Sequence, residues 1–491
     1  MFGNIFNKEV DAEAIAAGST LGLEQQLLAS AGQPARTVLA VGYTTSGKVQ
    51  GCSLGGGNVI EVYENGDDFN AGTVLYREFM GFGEPICFTG LSNGAIITST
   101  QGFYGFSEQV AGSAESPMPL LSYGLSFKET FLFAFRDSDD NSNNRGFIRV
   151  VNGPLESKVT LTRADGTTVN TDAGSGTPQA DLPLKPWEFL TLQTDGNTEF
   201  ILKSTNPIMA CIHAEMRTSG PRFHDSRLVM PLTNDGITWP RSGQMSAPYD
   251  NTVVNWWTRD NTEGVFTVSP GSPINIDSAT GASDLDYEPD GATRFKAVGL
   301  VSALSGADSA GSEATPMMPT YAMAQIVAQP LFIADIGDGG DSGVAISSPY
   351  KGTARIYSWD TATSQLNLAY TVPLNRNNVT VSTIDDQNHP SAGLVANETV
   401  NGTIELVGQL DAGLIIADVP VTVVVQNGSV TLTPTIRSQN GTTTTGIVSQ
   451  DDETLSLGWT PANIKAEITE GTDGLLYKRV VTSGTVTYEE G

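Results

Sequence analysis

Cysteine and histidine are nearly missing from this chain, with three of each in 491 residues. Three thiols (Cys52, Cys87 and Cys211) cannot make a disulfide framework, because one is always left over. Their neighbours are small or apolar, as in Ile86-Cys87-Phe88 and Ala210-Cys211-Ile212. The thiols are therefore expected inside strands as small hydrophobes. Zinc is disfavoured as well: Cys211 and His213 stand two apart with no second ligand pair nearby.

Positive charge is the next shortage. Lys and Arg total 26 against 54 Asp and Glu, a net charge of −28. Such a surface repels phosphate backbones and anionic bilayers, so nucleic acid is not an expected partner. No apolar run approaches the length of a membrane span. The opening residues, Met1 to Glu9, lack a basic stretch followed by an apolar one, so no secretory leader is expected and synthesis is placed in the cytoplasm.

What the chain has is turn chemistry. It carries 53 Gly and 25 Pro, and twelve Asn-Gly or Asp-Gly pairs spread from Asn65-Gly66 to Asp473-Gly474. Gly takes positive φ without steric cost and Asn and Asp tolerate it, so these pairs mark tight hairpin turns. Between them lie short β-branched and aromatic runs. Lys158 to Ala164, Asp165-Gly166 and Thr167 to Val169 make a hairpin, with Val159 and Leu161 on one face and Thr160 and Thr162 on the other. The expected fold is all-β: tandem antiparallel β-sandwich domains behind a short helical N-terminal segment. The helix signal lies in residues 9–31, with acids first and Leu23, Leu27 and Leu28 at helical spacing. The division expected is 1–35 as a helical anchor, 36–215 as a β-sandwich, 216–390 as a loop-rich second β-sandwich and 391–491 as a C-terminal β-module. The apolar run Val421–Val425 suits either a central core strand or an oligomer interface.

One stretch echoes another. Phe131 to Asp137 opens a polar loop, followed by Gly146-Phe-Ile-Arg-Val, a turn at Gly153-Pro154 and Lys158-Val-Thr-Leu. Later, Pro330 to Asp335 opens a Gly/Asp loop, followed by Gly343-Val-Ala-Ile, a turn at Pro349 and Thr353 to Trp359. The same order of events argues for a duplicated β-sandwich.

Candidate chemistry is sparse. Gly340-Asp341-Ser342-Gly343 resembles the nucleophile loop of chymotrypsin-like proteases, but Val-Ala follows and none of His213, His224 and His389 has the context of a base. It reads as a Gly/Asp turn. Asp137, Asp139 and Asn141 alternate along a loop as calcium ligands do, though Ser142 replaces the central Gly of an EF-hand and Ile148 its last carboxylate. Asp335, Asp338 and Asp341 hold the matching loop of the second copy. Calcium is the one ion for which the sequence offers a place, and no cofactor is required. Trp256-Trp257 is the strongest sugar-stacking candidate: neighbours on a strand point to opposite faces, so one of the two must leave its own core.

Acidic Gly/Thr/Asn-rich β-modules, a short helical N-terminal segment and cytoplasmic synthesis together resemble the structural proteins of tailed-bacteriophage virions. The resemblance covers the whole chain and rests on composition. It implies a non-enzymatic component of a fibre, spike, tail or capsid decoration. Such a protein is a homo-oligomer, held to other virion proteins through its N-terminal segment, released by lysis and engaged in host attachment. The alternatives are a carbohydrate-binding or exopolysaccharide-degrading phage protein that recognises host surface glycan, and a bacterial surface or filament protein.

Overall fold

The structure, a computed structural model, describes residues 37–108, 118–133, 145–163, 166–169, 179–193, 199–216, 223–238, 244–257, 263–276, 279, 293–304, 317–333, 343–350, 352–360, 363, 365–374, 395–396, 403–407, 409–427, 435–445, 453–457, 464–470, 476–482 and 485–490. The described residues fold as an all-β protein of several antiparallel sheets. The expected N-terminal helix lies outside them.

The first module is a two-sheet sandwich. Its elements are β1 (Thr37–Ala40), β2 (Val49–Ser53), β3 (Asn58–Tyr63), α1 (Gly66–Ala71), β4 (Tyr76–Met80), β5 (Pro85–Phe88), β6 (Ile96–Ser99), β7 (Phe103–Ser107), β8 (Met118–Pro119) and β9 (Leu121–Ser122). One sheet runs β4-β3-β6-β1-β9 and the other β5-β2-β7-β8. Ile60, Val62, Ile86, Phe88, Ile97 and Phe103 fill the space between them.

The second module is one long folded sheet: β10 (Phe127–Phe133), β11 (Arg145–Asn152), β12 (Ser157–Arg163), β13 (Leu182–Leu184), β14 (Phe189–Gln193), β15 (Glu199–Met216) and β16 (Phe223–Leu228). Its order is β13-β12-β15-β11-β14, with β10 and β16 also on β15. The first part of β15 pairs with β10 and β12, and the part after Pro207 pairs with β11 and β16. Proline donates no ladder hydrogen bond, which suits the point where one strand passes between two sets of partners. The Asp165-Gly166 hairpin forms as read, with Gly166 at φ 86° and Val159 and Leu161 fully buried.

The same two modules then follow again. The second sandwich has β17 (Thr233–Thr238), β18 (Gln244–Ser246), β19 (Thr252–Trp257), β20 (Glu263–Val268), β21 (Ile274–Asn275), β22 (Thr293–Leu304) and β23 (Met318–Pro319). Its order β20-β19-β22-β17-β23 repeats β4-β3-β6-β1-β9, and β18, paired with β21 and β22, repeats β2 between β5 and β7. The second folded sheet has β24 (Ala324–Ile333), β25 (Gly343–Ser347), β26 (Gly352–Asp360), β27 (Gln365–Leu374), β28 (Val395–Ala396), β29 (Thr403–Val407) and β30 (Gln409–Asn427). It runs β27-β26-β30-β25-β29-β28, with β24 also on β30. Even the irregularities recur. The register slips between Phe127 and Glu129 in β10, and between Ala324 and Ile326 in β24. Pro420 divides β30 as Pro207 divides β15. The echo expected around Phe131 and Pro330 is thus one part of a tandem repeat that includes both sandwiches.

β30 continues to two further hairpin partners, β31 (Thr435–Arg437) and β32 (Thr443–Thr445), and then to β33 (Glu453–Leu457), which pairs with β30 as β16 pairs with β15. A separate three-stranded sheet, β34 (Ile464–Glu470), β35 (Leu476–Thr482) and β36 (Thr485–Glu490), completes the described chain. Hydrogen bonding does not divide the chain at 215/216, because β16 belongs to the sheet before it. Nor does it at 390/391, because β24 to β30 and β33 form one sheet. The Val421–Val425 run lies in β30, a central strand flanked by β25 and β33, and Val421 and Val423 are fully buried.

The two units exchange partners reciprocally. β24 packs on β2 and β7 of the first sandwich, while its counterpart β10 packs on β22 of the second. One core passes through all four modules, joining Tyr104, Met209, Ile237, Met318, Val327 and Ile356. The guanidinium of Arg149 lies 4.1 Å over the ring of Tyr43 and so ties the first folded sheet to its sandwich.

The β31–β32 hairpin lies between β30 and β33, at the place where six residues, 217–222, connect β15 to β16 in the first unit. Asn440 and Gly441 turn it in the left-handed region, at φ 63° and 73°. It docks on the first sandwich some 350 residues earlier. Arg437 places Nη1 2.8 Å from Glu78 Oε2 and Nε 3.0 Å from Glu84 Oε1. Asn440 N donates to Glu78 Oε1 at 2.9 Å, and Gln439 Nε2 donates to Thr89 Oγ1 at 2.7 Å. Ile436 is buried beneath, and Ser438 bridges to Cys87. The hairpin is a clasp between the ends of the repeat.

Candidate functional site

The sequence of β19, Thr-Val-Val-Asn-Trp-Trp, alternates inward and outward. Val254 and Trp256 enter the core of the second sandwich; Val253, Asn255 and Trp257 face the other way. Of the two expected sugar-stacking residues, Trp256 is 6% exposed and its ring is enclosed, whereas Trp257 is part-exposed. Trp187 is buried in the shared core. Trp239 and Trp459 lie outside the described residues.

Trp257 lies on the outer face of β19, β20 and β22, where polar side chains mix with the exposed Val253, Val265, Val298 and Leu300. Register sets Glu263 and Arg294 on either side of Trp257, and Val265 and Lys296 on either side of Asn255. Trp257 Nε1 donates to Glu263 Oε2 at 3.1 Å, which fixes the indole across the strand pair. Arg294 is turned away to Asp235 at 3.4 Å, an acid that also accepts from Thr320 Oγ1 at 3.0 Å. Glu263, Val265, Thr267 and Lys296 are exposed. Sequence reasoning singled out the tryptophan but not Glu263, Asn255 or Lys296; the alternation of β20 and β22 carried that signal.

The first sandwich shows the same face closed. By register, Tyr63 opposite Ile96 matches Trp257 opposite Arg294, and Glu61 opposite Thr98 matches Asn255 opposite Lys296. All four residues of the first set are buried. The cover is α1, placed by the twelve residues between β3 and β4. Asn65 caps it by accepting from Asp68 N, and Gly72 ends it in the left-handed region. Asn65-Gly66 is thus a helix cap rather than the hairpin turn expected of that pair. α1 sets Phe69 edge-on to Tyr63 at 4.9 Å and to Trp187 at 5.1 Å, and Tyr123 meets Trp187 at 5.4 Å. Gly66 is obligatory here: a Cβ on it would stand 2.1 Å from the carbonyl oxygen of Trp187. Inside the same face, Arg77 holds Glu61 at 2.6 Å and Tyr63 donates to Glu61 at 3.0 Å.

The other expected sites are placed as follows. Asp137, Asp139 and Asn141, and their counterparts Asp335, Asp338 and Asp341, lie outside the described residues. Among the described residues, no three His, Cys, Asp or Glu side chains gather into a metal site. The three thiols are free and buried as expected, and burial pushes each up to about 12. His213 and His224 stand on β15 and β16, opposite Ser226 and Glu215, while Arg227 beside them is buried. No described helix is long and apolar enough to cross a membrane. No family model matches the sequence, and no curated protein is similar to it.

Proposed function

We propose that this protein is a non-enzymatic virion structural protein, part of a homo-oligomeric fibre, spike, tail or capsid appendage, with a role in host attachment. One observation carries the reading: two copies of a sandwich and a folded sheet are fused through a single core and clasped at their ends. A body of this kind resists deformation and spaces its surfaces at fixed distances, as a building element needs. Its acidic surface suits release into a medium where nonspecific adhesion to nucleic acid must be avoided. Residues 1–35 anchor it to neighbouring proteins. The test is incorporation: deletion of residues 1–35 leaves a folded body, seen by its β-type circular dichroism and unfolding transition, that no longer enters the particle. A truncated chain that assembles like the full one overturns the anchor, and particles formed in its complete absence overturn the structural role.

A second reading, a carbohydrate-binding or exopolysaccharide-degrading phage protein, is favoured by the part-exposed Trp257 hydrogen-bonded to the exposed Glu263. Sugar release from host polysaccharide by purified protein distinguishes the degrading form.

A further inference from the structure

We propose that the outer face of β19, β20 and β22 is a glycan-binding site in which Trp257 stacks on a sugar ring and Glu263, Asn255 and Lys296 contact its hydroxyls. This inference rests on the attachment part of the proposed function and gives that part a place and a ligand class.

The protein contains its own control for the argument. In the first sandwich this face already holds an aromatic ring: Phe69 of α1 sits against Tyr63, the counterpart of Trp257, with Trp187 and Tyr123 completing the cluster. Among the described residues of the second sandwich, the helix that carries Phe69 and the ring of Tyr123 are not repeated. The β19–β20 connection is residues 258–262, five against the twelve of 64–75, too short for a helix of six with its caps. Tyr123 opens a 3-10 turn whose counterpart opens with Thr320. The large ring is retained at Trp257 while, among the described residues, the helix and the tyrosine that cover its counterpart are not repeated. A ring-shaped apolar group from elsewhere can take the place of Phe69.

The groups around the indole select the kind of ring. A peptide side chain seeks an apolar socket. Here the near neighbours are a carboxylate (Glu263), a primary amide (Asn255), an ammonium group (Lys296) and the exposed Val265, on strands about 4.8 Å apart, so polar groups border the ring with one apolar side chain beside them. These polar groups are donors and acceptors for adjacent hydroxyls. The electron-rich face of the indole meanwhile attracts the C–H-lined face of a sugar. Glu263, already accepting from Trp257 Nε1, keeps further lone pairs for a hydroxyl and locks the platform in orientation. The net charge of −28 repels uronic-acid and sulfated polymers, so the ligand is a neutral glycan.

The test uses the full chain, with neutral gluco-, galacto- and manno-hexasaccharides as probes and an alginate hexamer as the anionic counter-probe. Affinity is read by calorimetry and tryptophan fluorescence. At least one neutral probe binds with a change in tryptophan emission. Trp257→Ala weakens it about tenfold or more, Trp257→Phe weakens it less, and Glu263→Gln weakens it while leaving stacking. The melting temperature of each variant falls by no more than about 4 °C, which separates lost binding from lost folding. Absence of binding to every neutral probe, equal binding by Trp257→Ala, or binding of alginate alone overturns the proposal. Particle incorporation is measured in parallel. Sugar binding lost with assembly intact removes this site from the attachment role, whereas failed assembly of the sugar-binding protein removes the structural reading.

Discussion

A Cβ on Gly264 would lie 2.5 Å from Cζ2 of Trp256, so the indole occupies the space that a side chain on the facing strand would need. The first sandwich makes the opposite choice at the same register: Val62 is small and Tyr76 opposite it is large. Volume has moved from one strand to its neighbour while the core stayed filled, as close packing demands. Trp256→Ala therefore opens a cavity and lowers stability by about 3–5 kcal/mol, whereas Trp257→Ala lowers it by less than about 1 kcal/mol. Denaturant unfolding of the two variants checks the contrast; equal losses would contradict the inward and outward assignment.

Gly66→Ala forces a methyl group against the backbone of Trp187. Backbone cannot rotate aside, so the helix must lift from the face it covers. A loss of about 1–3 kcal/mol is expected, together with a rise in solvent quenching of tryptophan emission as Trp187 is uncovered. Unchanged emission would mean that α1 does not seal this face.

The clasp depends on one cation between two acids. Arg437→Ala removes both ion pairs and is expected to cost about 1–2 kcal/mol locally, since the group is partly exposed and screened. Hydrogen exchange at the amides of Asn440 and Thr89, both bonded across the contact, should quicken while exchange within β15 does not change. Raised salt should have the same effect in the parent protein.

The thiols give a pH dependence with a defined sign. Each is held neutral by burial, with its folded pKa raised from 9.0 to about 12. The unfolded chain loses these protons first as pH rises, so their contribution to stability is complete below about pH 9 and declines steadily from there toward pH 12. Cys→Ala at Cys52 should flatten that decline. In the native state near pH 8, a thiol reagent should modify none of the three; full denaturation should release all three.

The fold class was legible because its signals are local. Val159 and Leu161 alternate with threonines, and Asp165-Gly166 turns the chain, within a dozen residues. Sheet membership was not legible, because it depends on pairings such as Ala324 with Val421, nearly a hundred residues apart, which no local pattern announces. Asp235-Gly236 looked like a turn and lies inside β17, where Asp235 is held by Arg294 and Gly236 passes close to the carbonyl of Met318. Trp256-Trp257 announced that one ring must face outward, and alternation alone did not say which. Arg437 with Glu78 could not be foreseen from spacing, since a sequence of this length offers many acids to any one arginine.

The clasp also has a mechanical meaning. Tension applied between the first sandwich and the second folded sheet reaches Arg437, Gln439 and Asn440 as a group, because all three grip residues 78–89 side by side. Bonds strained together share the force and yield together. The tether would therefore hold up to a threshold and then release at once, passing the load to β24 and the shared core beneath it.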